Sequence, residues 1–118
     1  MTVQECYEAF GGDYQEVVSR LRTDERIARF LLRVVDDGSY QLLLDSIASG
    51  NMDEAFRAAH TLKGVCMNLS ITKFAQSSSA LTELLREKRE LTDEVQALLQ
   101  QVKEDYELTI GSIKQLNQ

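Results

Sequence analysis

The only histidine of the chain, His60, lies in the segment AAHTLKGVCMNLS, with Lys63 three residues and Gly64 four residues after it. A neutral imidazole has an ordinary pKa of about 6.5 and is a good nucleophile near neutral pH. A lysine ammonium beside it can offset the negative charge of a phosphoryl group. Residues at i, i+3 and i+4 share one face of a helix, so this spacing predicts a phosphate-handling site.

A helical projection places His60 on the side of its helix that faces away from the core. Successive helical residues turn by about 100°, and the apolar residues of this segment collect on an arc whose centre lies about 140° from His60. We therefore expect the imidazole to be exposed while the opposite face of the helix packs. The packed arc contains Met52, Ala55, Ala59, Leu62, Cys66 and Leu69.

Gly64 and three neighbours suggest how a partner would reach His60. A glycine inside a helix costs about 1 kcal/mol relative to alanine. Gly64 lies away from the core arc, so we interpret it as clearance for a bulky partner rather than as a packing requirement. Phe56, Arg57 and Met67 lie within about 60° of His60 on the same projection and are the candidate docking residues.

The rest of the chain shows apolar residues at three- and four-residue steps between few turn signals, which is the pattern of helices. We expect helices over residues 2–10, 13–21, 24–36, 39–48, 52–69, 73–88 and 93–115. Asn51, Thr72 and Thr92 are the expected N-caps of the last three helices. Gly50 is expected to adopt the left-handed conformation after a helix end.

The apolar faces of these helices predict an all-α protein built as an antiparallel, up-and-down four-helix bundle, with short extra N-terminal helices across one end. The 118 residues include no proline and are 43% hydrophobic, which suits one domain over residues 1–118 with a core bundle over about 24–115. The segment that precedes the histidine helix contributes the apolar residues Ile27, Phe30, Leu31, Val34, Val35, Leu42, Leu43 and Ile47.

Composition and charge argue against several classes of protein. A formal net charge of −6 makes nucleic acid and anionic membranes poor partners. Cys6 and Cys66 form no C-x-x-C pair, and with one histidine they cannot complete a zinc site, so we expect reduced thiols and no bound metal. The N-terminal stretch lacks the basic start and apolar run of a signal peptide, and no window reaches transmembrane length. We therefore expect a cytoplasmic protein.

The segment HTLKGVCMNLS resembles the signature of histidine-containing phosphotransfer (HPt) domains, and the approach NMDEAFRAAH is similar to that family's approach to its histidine. The resemblance implies a four-helix bundle that accepts a phosphoryl group from a receiver-domain aspartate and passes it to another receiver, without an ATP site. No glycine-rich phosphate loop is found in the chain. The matching residues are His60, Leu62, Lys63, Gly64, Asn68 and Leu69.

By this resemblance, His60 is the phosphoacceptor, Lys63 supports the phosphoryl charge and Gly64 gives the partner clearance. Phe56 and Met67 are the apolar docking candidates. The implied partners are response-regulator receiver domains, a hybrid histidine kinase or both. The chain itself would bind no cofactor, and the receiver would bring Mg²⁺. The resemblance also leads us to expect a monomer.

Two positions depart from the family pattern, and both concern the end of the histidine helix. The family usually has a small residue at the place of Met67 and glycine at the place of Ser70. Neither change removes a group that the chemistry needs, so both bear on partner choice and rate. On the next helix, Ser79, Thr82 or Glu83 is expected level with His60, where one of them could hydrogen-bond the ring.

Three alternatives remain beside this interpretation. A helical interaction adaptor without phosphotransfer would share the bundle, the acidic charge and the strip from Phe56 to Met67. The dimerisation and phosphoacceptor domain of a histidine kinase is disfavoured because Thr61 follows the histidine, Gly64 is out of place and proline is absent. A metal-dependent or hydrolytic enzyme is disfavoured because the sequence shows no cluster of metal ligands and no Ser-His-Asp set.

Overall fold

The computed structural model describes residues 1–116 and contains seven α-helices and no β-strand within that range. The all-α prediction is confirmed, and each expected helix end lies within two residues of the observed one. The helices are α1 (Val3–Phe10), α2 (Tyr14–Leu21), α3 (Asp24–Val35), α4 (Ser39–Ala48), α5 (Met52–Asn68), α6 (Thr72–Glu87) and α7 (Asp93–Ile113).

Most helices begin where a short polar side chain can satisfy a free backbone N–H. The Asn51 side chain accepts from the Glu54 N–H, and Thr92 accepts from Val95, so both predicted caps are confirmed. The predicted cap at Thr72 is wrong. The helix begins at Thr72 itself, after the buried Ile71, because the Thr72 hydroxyl donates backward to the Ser70 carbonyl instead of accepting an N–H.

The bundle is organised around α5, which packs between α4 and α6, while α7 packs on α6 and also meets α3. Helices α3 and α4 therefore act together as one of the four helices of the bundle. The helical structure is interrupted between them at Asp36–Gly38. Tyr40 of α4 stacks on Tyr106 of α7, with ring centroids 3.6 Å apart. One expected core residue, Leu42, is instead 42% exposed, because α4 turns Leu43, Ser46 and Ile47 inward.

The N-terminal helices cover the end of the bundle where α5 ends, as expected. The Tyr7 hydroxyl donates to the Leu69 carbonyl at 2.7 Å, and the Asp13 N–H donates to the Ser70 carbonyl at 2.9 Å. Gly11, at φ +73, accepts from the Lys73 N–H at 3.0 Å, so the turn after α1 is joined to the start of α6. These bonds fix the α5–α6 turn from outside the bundle.

Arg20 of α2 caps the C-terminal end of α5. Its guanidinium Nη1 donates to the carbonyls of Met67 (2.9 Å) and Asn68 (2.7 Å) at the helix end, and the Met67 carbonyl also accepts from the Ser70 N–H at 3.2 Å. Its Nη2 donates to Glu16 Oε1 and Ser70 Oγ, and Ser70 Oγ donates in turn to Glu16. A cation at this end also interacts favourably with the helix dipole.

Both cysteines are buried and free, in line with the expectation of reduced thiols. Burial raises the pKa of the Cys66 thiol from 9.0 to about 12, and that of Cys6 to about 11. The neutral thiol therefore dominates at neutral pH, and the thiolate that reacts with oxidants is scarce.

Within residues 1–116, no helix is both long enough and apolar enough to cross a bilayer.

Candidate functional site

His60 lies at the middle of α5 and faces solvent, which confirms the predicted exposure. The reason is the helical period, because the opposite face is packed into the core. Ala55, Ala59, Leu62 and Cys66 on the predicted arc are all buried. The helix therefore presents the imidazole outward on a backbone that is held rigidly by its other side.

Lys63 lies one turn after His60 and reaches across to α6. Its side chain is only 23% exposed, and its Nζ is 3.9 Å from Glu83 Oε1. The other carboxylate oxygen of Glu83 is 3.3 Å from Nε of Arg86. The carboxylate thus lies between two cations, and Lys63 is held near the histidine face by a partner on the neighbouring helix.

Gly64 opens the surface beside His60. A Cβ added at Gly64 would meet no atom within 4 Å outside its own helix backbone. Close packing against another helix therefore does not explain the glycine, in agreement with the clearance interpretation. The bare backbone at this position leaves room for a bulky group to approach the ring.

The three candidate docking residues differ in accessibility. Met67 is 53% exposed, and Arg57 is exposed and paired with Glu54 at 2.8 Å. Phe56, expected in an exposed strip, is only partly exposed because it packs against the core and is flanked by arginines. The exposed strip is therefore discontinuous, with Met67 as its most accessible apolar member.

Two arginines of the site were missed in the sequence. The guanidinium carbons of Arg89 and Arg86 lie 4.2 Å and 5.0 Å from the centroid of the Phe56 ring. The Phe56 ring in turn stacks with the His60 imidazole at a centroid distance of 6.2 Å and an interplanar angle of 13°. Arg86 falls in the expected helix 73–88 and Arg89 just after it, and only the packing of α6 on α5 brings them to Phe56.

The polar residues expected level with His60 do not bond to its ring. The Thr82 hydroxyl is buried and donates to the Ser78 carbonyl at 2.7 Å, and Glu83 is engaged by Lys63 and Arg86. Across residues 1–116, no hydrogen bond to the His60 ring is present, and the residue is exposed.

A groove of about 710 Å³ runs between α5 and α6, starting two turns beyond His60. Met67 lines it from α5, Gln76 and Ser79 line it from α6, and Arg20 closes its far end from α2. The histidine face therefore continues into a concave surface.

The chemistry that this arrangement can support is nucleophilic attack by a free ring nitrogen on an electrophile held near Lys63. No group of three His, Cys, Asp or Glu side chains in the described part of the chain could hold a metal ion.

Comparison with known protein families gives a match over most of the chain. The family model described as Hpt domain matches residues 9–109, which is most of the chain and includes α2 to α6 and most of α7. No curated protein and no solved structure shows a significant match.

Proposed function

The chain belongs to the Hpt domain family, whose members are phosphocarrier modules of two-component signalling and not kinases, and on this premise we propose that His60 carries the phosphoryl group. The observation that supports this assignment most directly is the exposed, unbonded imidazole with a cation one turn away and open space at Gly64. The partners of such modules are receiver domains and kinases.

The proposed step moves one phosphoryl group from a receiver aspartate to His60. The unprotonated ring nitrogen donates its lone pair to phosphorus, and an N–P bond forms as the P–O bond to the aspartyl carboxyl group breaks. The carboxylate leaves with that electron pair, while the other ring nitrogen keeps its proton. Passing the group to a second receiver reverses these bond changes.

Lys63 would act by charge. Its ammonium lies one turn from His60, where it can approach the oxygens of the transferring group. Glu83 keeps this ammonium on the histidine side of α6 until a phosphoryl group competes for it. The receiver would supply Mg²⁺ and most of the remaining charge stabilisation, because phosphoryl transfer depends on positioning and electrostatics.

Receiver docking would use the surface around the histidine. Gly64 gives clearance, and Phe56, Arg57 and Met67 surround the approach. The groove beyond Met67 would extend the contact along α5 and α6.

We further propose that the chain works as a monomer in the cytoplasm, with receivers rather than nucleic acid or membrane as its partners.

The test is transfer of labelled phosphate from a phosphorylated receiver domain to wild type and to His60→Gln. We expect acid-labile label on wild type and none on the variant. Thr61→Gln, at the next exposed residue of the same helix, is the matched control and should be labelled like wild type. Glutamine is a good helix former, so the unfolding free energy of His60→Gln should stay within about 0.5 kcal/mol of wild type.

Failure of wild type to acquire label from any receiver would favour a helical interaction adaptor, since that function needs the surface and not the imidazole. Label that persists in His60→Gln would place the acceptor elsewhere. A large loss of stability in that variant would contradict the exposed position of the ring.

A further inference from the structure

Phe56, Arg86 and Arg89 form an aromatic–cation clamp beside the proposed phosphoacceptor. Phe56 lies one helical turn before His60, and the planes of the two rings differ by 13°. Both guanidinium groups belong to the end of α6 or the residues just after it and lie over the Phe56 ring. The phosphoryl transfer proposed above does not itself use these two arginines.

Arg89 is itself held in place from two directions. Its Nη1 donates to Asp53 Oδ1 at 2.6 Å, in the first turn of α5, and its Nε donates to the Leu85 carbonyl at 2.9 Å, near the end of α6. The guanidinium is therefore tied to both helices while it covers Phe56. This arrangement restricts an aromatic ring that a half-exposed position would otherwise leave free to change rotamer.

The His60 ring has no comparable restraint of its own. No hydrogen bond to it is present within residues 1–116, and its position on the helix surface leaves several staggered rotamers open. Helical side chains lean toward the preceding turn, which brings the imidazole of His60 toward Phe56. The stacked Phe56 ring is therefore a group that can limit the rotation of the imidazole.

We propose that Phe56 is a positioning residue for His60, and that Arg86 and Arg89 hold Phe56 in the orientation this requires. Stacking with a fixed ring keeps the imidazole in a narrow range of orientations, so more of the population presents the reactive nitrogen correctly. Such orientation raises the rate of a bimolecular transfer without adding any chemical group. The kinetic consequence rests on the proposed phosphotransfer, whereas the ring orientation does not.

The test uses proton NMR and transfer kinetics on the same variants. Because His60 is the only histidine, its two imidazole C–H signals are unique in the spectrum. Phe56→Leu removes the planar ring but keeps apolar volume, and Arg89→Gln removes a clamping cation without touching the imidazole. Both should shift the His60 signals and lower the maximal transfer rate about three- to tenfold, whatever the loss of a docking contact at Phe56 does to the half-saturating receiver concentration.

A second phenylalanine–arginine pair provides a matched control. Arg33 lies over the Phe30 ring at 4.9 Å on α3. Phe30→Leu and Arg33→Gln should leave both the His60 signals and the transfer rate unchanged. Phe56→Tyr retains the planar ring and should restore wild-type behaviour.

Unchanged His60 signals in Phe56→Leu and Arg89→Gln would overturn the proposal. It would also be overturned by an effect confined to the half-saturating receiver concentration, which would mark Phe56 as a docking residue only. If wild type accepted no phosphoryl group, the proposed function would fail, yet the NMR signals would still decide whether Phe56 orients the ring.

Discussion

The charge of Lys63 can be removed with little structural damage, because its ion pair with Glu83 is long and partly exposed. Lys63→Ala should slow transfer from a phosphorylated receiver about tenfold, because the ammonium no longer offsets the charge of the transferring group. Its loss should barely alter stability, since a partly exposed ion pair contributes little. Stopped-flow or quench measurement of labelled phosphate gives the rate.

Lys103→Ala is the matched control for charge, because Lys103 is also a partly buried lysine but lies on α7. It should transfer at the wild-type rate. If the two alanine variants behave alike, net charge rather than the local ammonium controls the rate, and Lys63 has no place in the mechanism.

A larger side chain at Gly64 should have opposite effects on helix stability and on the receiver's access to His60. Gly64→Leu should raise the unfolding free energy by up to about 1 kcal/mol, because leucine is the better helix former and a Cβ meets open space. The same side chain should obstruct the receiver and slow transfer about tenfold or more. Denaturant unfolding and transfer kinetics measure the two effects.

Gly111→Leu on α7 offers the comparison, since a Cβ at Gly111 also meets nothing within 4 Å. That variant should gain stability without any change in transfer. Undiminished receiver binding and transfer by Gly64→Leu would contradict the clearance interpretation.

At the scale of helices, most of the local signals in the sequence allowed accurate prediction. Asn51 and Thr92 mark helix starts because a cap acts three residues ahead in the same segment, and the apolar period of α5 was sufficient to place His60 outside. The cap at Thr72 failed because a hydroxyl can donate to a carbonyl as well as accept an N–H.

Contacts between distant segments could not be predicted in this way. The bonds from Arg20 to the end of α5 and the arginines over Phe56 join residues about thirty or more positions apart. Nothing in the local pattern indicates such partners, because they depend on how the helices pack. The candidate site was therefore predictable in its central residues and unpredictable in the groups that support them.

The turn between α5 and α6 contains a residue in an unfavourable conformation. Ser70 has φ +54, in the left-handed region that favours glycine, and its hydroxyl bonds to Glu16 and Arg20. Ser70→Ala should lower the unfolding free energy by about 1–2 kcal/mol, because it keeps the strain and loses the bonds. Ser70→Gly loses the same bonds but relieves the strain, so it should stay within about 1 kcal/mol of wild type.

Ser49, which ends α4 at φ −88, is the control for these substitutions. There the order should reverse, with alanine at least as stable as glycine, because no left-handed conformation has to be relieved. Equal destabilisation by both substitutions at Ser70 would show that the hydrogen bonds, and not the backbone conformation, dominate. Denaturant midpoints for all four variants provide the measurement.

The whole molecule should lose stability at alkaline pH. Burial raises the pKa of Cys66 from 9.0 to about 12 and that of Cys6 to about 11 in the folded chain, and burial also raises the pKa of Tyr7. A group whose pKa is raised on folding stabilises the fold fully below its unfolded pKa. That contribution is lost as the pH rises from about 9 toward the folded value, since the unfolded state releases the proton first.

The denaturant midpoint should therefore fall steadily above pH 9 and show no such fall between pH 7 and 8. Cys66→Ala removes one of these groups and should make the alkaline decline shallower, whatever its effect at neutral pH. A wild-type midpoint that stays constant from pH 7 to 11 would contradict the raised thiol pKa values.

The N-terminal helices have a practical consequence for moving this fold into a chimeric signalling protein. The family match begins at residue 9, but Tyr7 precedes it, and the Tyr7 hydroxyl donates a hydrogen bond to the Leu69 carbonyl. A junction placed at residue 9 would remove that bond, and one placed at Asp24 would also remove Arg20 and its bonds to the Met67 and Asn68 carbonyls at the end of α5. A graft therefore has to carry the chain from Thr2, the N-cap of α1, onward to deliver the histidine helix with its C-terminal end secured.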